Sequence, residues 1–328
     1  MALAASALLA LAGCGEEPAP APEPDAVSIP HDHAMHAAPD LLHKKKNPDA
    51  PDYTELNNTV FDNLVATGPV ANTADIERCE WAKAIREEGI FKVGAVRNSF
   101  MFSQLDEKDQ RLRGFDAGIY QLLARYILGD HDKYRLIQVT SGTREAVLQN
   151  NQVHAVVATY SITPARKLEV SFAGPYFTVR QGILVRADNK NIGSLADLTG
   201  RPTATQAGST GPAVLHHYAP AASIELFAND TEARTALKQK RVDAYVTDYT
   251  LLLNAVVRNP LDFKIVGGEF GTEDHYGIGV PLESDAVPFL NNFLRKIIKA
   301  GLWDNLWQVT IGDRIGSFDP PDPPVIQD

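Results

Sequence analysis

The pattern that most limits how this chain can fold is an alternation of strand-like runs with helix-like segments, which occurs twice along the sequence. The first series places strands at 91–96, 134–139 and 153–158, with apolar residues at helical spacing between them. After residues 182–185 the alternation starts again and continues to a last helix over about 286–300. Such alternation indicates an α/β fold with mostly parallel sheets. The restart predicts two units, with the chain leaving the first, building the second and returning.

Polar residues follow the predicted strands at three places. Thr159 and Ser161 end one strand, and residues 208–210 follow another. Thr247 and Asp248 end a third strand. Because α/β units bind ligands outside the carboxyl ends of their strands, these three clusters predict a binding site for a small molecule.

The segment ATYSITPAR, which ends at Arg166, has the composition of a carboxylate-binding site. It supplies two hydroxyl donors at a strand end and then a guanidinium that can bind a carboxylate through two parallel hydrogen bonds. A helix start is the alternative, since Thr163 is a good N-cap and Pro164 suits the first helical position. Both can hold at once. The hydroxyl of Thr159 has its own alternative, which is to satisfy nearby backbone groups.

The two ends of the chain differ in composition from its middle. Residues 1–13 are uncharged, apolar and too short to span a bilayer, which is typical of a signal peptide. The sequence LAGC, ending at Cys14, resembles the lipobox of bacterial lipoproteins; an ordinary secretory signal is the alternative. We therefore expect a lipidated Cys14, a tether over 14–52 that is rich in Pro, Ala and acidic residues, and a loose Pro/Asp-rich tail over 313–328.

The tether also contains a histidine-rich tract. Such tracts bind divalent cations in some proteins, but a solvated linker with weak affinity is the favoured interpretation, so we predict no metal site. Its histidines are His31, His33, His36 and His43.

Charge and cysteine content exclude two classes of protein. The net charge of -10 argues against a nucleic-acid partner, because binding phosphates needs concentrated Lys and Arg. Cys14 and Cys79 are the two cysteines of the sequence, so a lipidated Cys14 leaves no disulfide framework. Cys79 then acts as a small hydrophobic residue.

Six motifs, in their order and spacing, resemble family 3 of the bacterial extracellular solute-binding proteins over about residues 91–307. These proteins are the receptors of polar amino-acid ABC importers. The motifs are GFD at 114–116, TSGTR at 140–144, the ATYSITPAR segment, GST at 208–210, VDA at 242–244 with Asp248, and YGIGV at 276–280. The segments ATYSITPAR, AGPYF and GTEDHYGIGV are especially similar to the glutamate-binding lipoproteins of actinobacteria.

This resemblance implies a periplasmic-binding-protein type II fold that closes on its ligand by a hinge. Each of two lobes would be a mostly parallel sheet flanked by helices, and two crossing strands would join them. Lobe 1 would comprise 73–180 plus 275–312, and lobe 2 would comprise 181–274. It further implies a monomer without cofactor or catalytic residues, held on the outer face of the cell membrane by lipid and delivering its amino acid to an ABC permease.

The resemblance also assigns roles to single residues. It implies that Arg166 pairs with the α-carboxylate of the ligand, with further donors from Ser161 and from backbone amides at the helix start near Thr210. Asp248 would receive the α-ammonium group, because a buried charge without a partner is costly. Both Asp248 and Thr210 have an alternative as helix caps.

Two more guanidiniums would set the side-chain specificity. By resemblance to glutamate/aspartate receptors, Arg144, with Ser141 three residues before it, faces the ligand side chain, and Arg97 supplies a second cation. Together with Arg166 they would suit glutamate or aspartate, because a neutral amide would leave one cation unpaired. The alternative for Arg97 is exposure on a loop.

Two other functions remain open on the same fold. One is a ligand sensor that reports to a membrane signalling partner. The other is an enzyme similar to the cyclohexadienyl dehydratases, which would need a general acid or base over the ligand. The candidates for that role are Glu273, Asp274 and His275.

Overall fold

The computed structural model of the protein describes residues 55–316 and 319–327. The predicted signal peptide, Cys14, the histidine-rich tract and the whole of the tether lie outside the described residues. Within the described part, none of the helices has the length and apolar character needed to cross a membrane.

Eleven strands form two sheets in the described part of the chain. Eight strands make one sheet in the order β5-β1-β6-β11-β7-β10-β8-β9, and β2, β3 and β4 make a small second sheet. The strands are β1 (Phe91–Ala95), β2 (Asn98–Ser99), β3 (Ser103–Leu105), β4 (Leu112–Arg113), β5 (Tyr134–Gln138), β6 (Ala155–Val156), β7 (Ser171–Arg186), β8 (Pro202–Gln206), β9 (Ser223–Phe227), β10 (Ala244–Asp248) and β11 (Phe263–Val280).

The two longest strands, β7 and β11, pair antiparallel through the middle of the large sheet. On one side β5, β1 and β6 run parallel to one another, and on the other side β10, β8 and β9 do so. The structure therefore confirms the predicted α/β fold, with two mostly parallel units joined by two crossing strands. The predicted boundaries at 180/181 and 274/275 fall inside β7 and β11, and we keep the names lobe 1 and lobe 2 for the units that they separate.

The helices cover the faces of both units. Helix α4 is almost wholly buried, as its apolar periodicity predicts, and α9 buries Phe289, Leu290 and Phe293. The α-helices are α1 (Asn58–Ala66), α2 (Thr73–Glu77), α3 (Glu80–Glu88), α4 (Phe115–Leu128), α5 (Arg144–Gln149), α6 (Gly211–Tyr218), α7 (Asp230–Lys238), α8 (Tyr249–Arg258), α9 (Ala286–Lys299), α10 (Leu302–Trp307) and α11 (Asp313–Ile315). Short 3₁₀ turns occupy Arg166–Leu168 and Leu195–Leu198, and a π turn occupies Gln308–Gly312.

The apolar spacing over residues 73–89 predicts one continuous helix, but this prediction is wrong, because two helices meet at Cys79. The carboxylate of Asp285 accepts hydrogen bonds from the backbone N–H groups of Glu80 (2.6 Å) and Trp81 (3.2 Å) and so caps the start of α3. Cys79 itself is buried, as expected of a small hydrophobic residue, and burial raises the pKa of its thiol.

The last described residues of the tail are bonded to lobe 1. The backbone N–H of Gln327 donates to the carbonyl of Gly174 (3.0 Å), and its carbonyl accepts from the side chain of Asn291 (2.6 Å). Ile326 packs against the main hydrophobic core. This part of the chain is therefore docked, where composition alone predicted a loose tail.

Candidate functional site

A cavity of about 130 Å³ lies where strands of both lobes end. One buried water needs only about 10–15 Å³ of such space, so the cavity has room for a small ligand. Sixteen of the 22 residues that line it are polar. The polar lining residues are Asn98, Ser99, Gln138, Thr140, Ser141, Arg144, Thr159, Ser161, Gln181, Gln206, Ser209, Thr210, Asn229, Asp230, Thr247 and Asp248.

Most of the predicted ligand-binding residues meet at this cavity. Six of the eight line it, and Arg97 and Arg166 do not. The six are Ser141, Arg144, Thr159, Ser161, Thr210 and Asp248. The rule that ligands bind beyond the carboxyl ends of strands thus locates the cavity from sequence, while the ligand contacts of these side chains stay predictions.

The Arg166 guanidinium lies behind the lining and connects the two lobes. Its Nη1 donates to the carbonyl of Ser161 and its Nη2 to the carbonyl of Gly208, both at 2.8 Å, and its Nε lies 3.3 Å from Glu145 Oε1. The Thr163 hydroxyl oxygen accepts from the backbone N–H of Arg166 (3.2 Å), so this threonine also caps the turn. A guanidinium has five N–H groups. These contacts leave one hydrogen on each Nη without a partner among the described residues.

Asp248 ends β10 as a buried carboxylate that is 8% exposed. Gln181 Nε2 donates to its Oδ1 at 2.5 Å, and the hydroxyl of Tyr276 donates to its Oδ2. The residue stands at the N-cap position of α8, but its side chain makes no capping hydrogen bond. Burial, reinforced by the charge of Asp274, raises the pKa of Asp248 to about 7. The carboxylate is therefore poised near neutral pH to accept a cationic partner.

Arg144 supports the backbone that carries the hydroxyls. Its guanidinium is 2% exposed, and Nη1 donates to the carbonyls of Ala158 (2.9 Å) and Thr159 (3.0 Å). The guanidinium carbon lies 4.4 Å from the centre of the Tyr160 ring. Burial, with the nearby charge of Arg166, lowers the pKa of Arg144 to about 10. Arg144 therefore stabilises the backbone at residues 158–159 and also lines the cavity.

Asp116 of the GFD motif fixes the same backbone from inside lobe 1. Its Oδ2 accepts from the N–H of Thr159 and its Oδ1 from the Tyr176 hydroxyl, both at 2.8 Å. Thr159 has a φ of 45°, a left-handed conformation that residues other than glycine rarely adopt. Burial raises the pKa of Asp116 to about 6. The strained residue at the cavity wall is thus held by a carboxylate and by Arg144.

Lobe 2 contributes the loop before α6. Thr210 occupies the N-cap position without a side-chain capping bond, and its hydroxyl instead donates to Asp274 Oδ2 at 2.9 Å. Gly208 has a φ of 73°, and a Cβ there would lie 2.7 Å from the Cα of Gly142 in lobe 1. Glycine is therefore required at position 208 for two reasons, because the backbone has a positive φ and the neighbouring lobe leaves no space for a Cβ.

Arg97 is exposed, as in the alternative that the sequence left open, whereas its neighbours Val96 and Asn98 line the cavity. Its role toward the ligand stays a prediction. Sequence reasoning missed the carboxamides of the lining. Two of these, Gln138 and Gln206, end strands β5 and β8, so the strand-end rule applied to every polar residue would have found them.

The model of the family described as bacterial extracellular solute-binding proteins, family 3, matches residues 91–309. The chain belongs to this family. A glutamine-binding protein of Geobacillus stearothermophilus is 35% identical over 224 residues, which make up 68% of this chain and 82% of that protein. The glutamate-binding protein GluB of Corynebacterium efficiens is 29% identical over 219 residues, or 64% of this chain and 74% of that protein.

Solved structures agree with this family assignment. The solute receptor for L-cysteine of Neisseria gonorrhoeae superposes with a TM-score of 0.70 at 25% identity, covering 74% of this chain and 99% of that one. These three relatives are binding proteins for amino acids. The predicted family and two-lobed fold are therefore confirmed, and this chain is an amino-acid-binding member of the solute-binding proteins.

The three residues named as catalytic candidates each interact with another side chain of the protein. Glu273 Oε1 lies 3.4 Å from the Arg180 guanidinium, and a ring nitrogen of His275 shares a hydrogen bond of 3.0 Å with the Thr178 hydroxyl. Asp274 accepts from a hydroxyl of lobe 2. None of the three is among the described lining residues.

Proposed function

We propose that this protein is a lipid-anchored receptor that captures a polar amino acid of the glutamine–glutamate pair by lobe closure and delivers it to an ABC permease. The observation that carries the proposal is the buried Asp248 carboxylate on the wall of a polar cavity between two lobes. A zwitterion needs one anionic and one cationic partner when it is buried. Asp248 would receive the ammonium group, and the two unused N–H groups of Arg166 would receive the carboxylate.

The composition of the lining favours glutamine within that pair. Arg144 is the one guanidinium among the described lining residues, and it shares the lining with two carboxylates, Asp230 and Asp248. Five carboxamides complete the wall, and a carboxamide is an uncharged group that both donates and accepts hydrogen bonds. They are Asn98, Gln138, Gln181, Gln206 and Asn229. A second ligand carboxylate would find Arg144 as its one guanidinium partner among the described lining residues, and Asp230 already pairs with Arg234 at 2.6 Å.

Glutamate is the second candidate, as the sequence predicted. Its support is the similarity to GluB and the position of Arg144 on the cavity wall. It requires Arg97 to turn from solvent toward the ligand. The choice between the two ligands is a difference of affinities, so it needs both to be measured on one protein.

Calorimetric titration with each common amino acid tests the proposal. We expect glutamine to bind in the micromolar range and glutamate at least ten times more weakly. If none of the amino acids binds tighter than the millimolar range, the receptor function is wrong.

Arg97→Ala should change the ratio of glutamate to glutamine affinity by less than about twofold, because this side chain is exposed. A tenfold loss of glutamate affinity alone would instead support the acidic ligand.

Anchoring through Cys14 on the outer face of the membrane is a further part of the proposal. Its support is the LAGC sequence after a short uncharged apolar run. Cys14→Ser should move the protein out of the membrane fraction and reduce cellular uptake of the labelled ligand. Retention of the variant in that fraction would contradict the anchor. Normal uptake in cells that lack the protein would favour the sensing role instead.

A further inference from the structure

The Asp248 carboxylate is held by one side chain from each of the crossing strands. Gln181 of β7 donates to one carboxylate oxygen at 2.5 Å, and Tyr276 of β11 donates to the other through its hydroxyl. Both donors are buried, at 2% and 0% exposure. They lie 67 and 28 residues from Asp248 in the sequence, so the contact exists only in the folded cleft.

The position of the Tyr276 hydroxyl is fixed by lobe 1. Its ring stacks on Phe177 with centroids 5.6 Å apart and meets the edge of Phe102 at 5.9 Å. Its backbone forms a β-bridge with Ser161, which lines the cavity. A rigid tyrosine anchored beside one wall of the cavity therefore bonds to the carboxylate of the opposite wall.

We propose that Tyr276 and Gln181 are positioning residues of the amino-acid site, which orient the Asp248 carboxylate toward the ammonium group of the ligand and keep it ionised. The inference rests on the proposed function, since it assigns Asp248 to the ammonium group. Neither residue needs to touch the ligand for this role. This role differs from a packing role. It requires the hydrogen bonds from the Tyr276 hydroxyl and the Gln181 amide, and it does not require the aromatic ring of Tyr276 or the aliphatic carbons of Gln181.

The charges around Asp248 show why these two donors matter. Burial and the neighbouring carboxylate of Asp274 on β11 both disfavour its ionised form. The hydrogen bonds from Tyr276 and Gln181 favour that form, and so does the charge of Arg144 on α5. Removing one donor should therefore raise the pKa of Asp248. At neutral pH a larger fraction of the protein then carries a neutral Asp248 that pairs poorly with an ammonium group.

The test compares Tyr276→Phe and Gln181→Met with the unmodified protein, measuring glutamine and glutamate dissociation constants by calorimetry from pH 6 to pH 9. Tyr276→Phe keeps the ring and its packing and removes only the hydroxyl. Each variant should bind about tenfold more weakly at pH 7 and recover most of that loss by pH 9. The matched control is Tyr126→Phe, which removes another buried tyrosine hydroxyl, bonded to Lys296 at 2.8 Å, away from the cavity lining.

The outcomes separate this inference from the proposed function. A uniform loss of affinity across the pH range, or no loss, in variants that fold and melt normally would overturn the positioning role while leaving the receptor function standing. If Tyr126→Phe shows the same loss of affinity at pH 7 and the same recovery by pH 9, the positioning role is overturned as well. If one variant does not fold, the other carries the test. Failure of the unmodified protein to bind any amino acid would overturn the receptor function and, with it, this assignment.

Discussion

Replacing Arg166 by alanine should weaken amino-acid binding by at least 100-fold, to the point where calorimetry detects none. Two hydrogens of the guanidinium, one on each Nη, are left after its bonds to Ser161 and Gly208 and its contact with Glu145. They match the two oxygens of a ligand carboxylate. Leaving a buried carboxylate without its partner costs roughly 3–5 kcal/mol, and each 1.4 kcal/mol is tenfold in affinity.

A second variant and a control show whether ligand binding depends on the paired N–H donors of Arg166 or only on its positive charge. Arg166→Lys keeps a cation but loses the paired donors, so we expect it to recover only part of the affinity. Arg201→Ala is the matched control, because its guanidinium forms a half-exposed ion pair with Asp243 at 3.6 Å. Its affinity should equal that of the unmodified protein. Near-normal binding by Arg166→Ala would remove Arg166 from the site.

The parts of the fold that sequence predicts well depend on local patterns. Apolar spacing located α4 and α9, and Gly301, with a φ of 68°, ends α9 as expected of a glycine. The strand-end rule brought Thr159 and Asp248 to one cavity. Each of these predictions needs only neighbouring residues and the known geometry of α/β folds.

The parts that sequence missed depend on contacts between distant residues. The break in the predicted helix at Cys79 is set by Asp285, 205 residues beyond Glu80. The hydrogen bond from the backbone N–H of Thr159 to the Asp116 carboxylate joins residues that are 43 positions apart. Arg97 has the residue type of a ligand contact, but the turn into β2 leaves it in solvent. No local period encodes such contacts, so the residues that support the site could not be named from one sequence.

Affinity for the ligand should fall as the pH drops below about 7, and Asp248→Asn should remove both this pH dependence and nearly all binding. Burial raises the pKa of Asp248 to about 7, and the ammonium group needs the ionised carboxylate. Below that pKa a proton must leave Asp248 before the ligand binds, so affinity should fall about tenfold for each further pH unit. Dissociation constants measured between pH 5 and pH 9 check the slope.

Asp248→Asn removes the charge and keeps a side chain that can bond to both neighbours. Its amide oxygen can accept from Gln181 Nε2, and its Nδ2 can donate to the hydroxyl oxygen of Tyr276. With the loss of the charge that faces the ammonium group, we expect binding to weaken by at least 100-fold at pH 8. The control is Asp262→Asn, which breaks an exposed ion pair with Lys238 and should keep the affinity and its pH profile. Asp248 does not hold the ammonium group if the unmodified protein binds equally well at pH 5 and pH 8, or if Asp248→Asn retains the affinity. The carboxylate would then have to act through the crossing strands instead, as a structural partner of Tyr276 and Gln181.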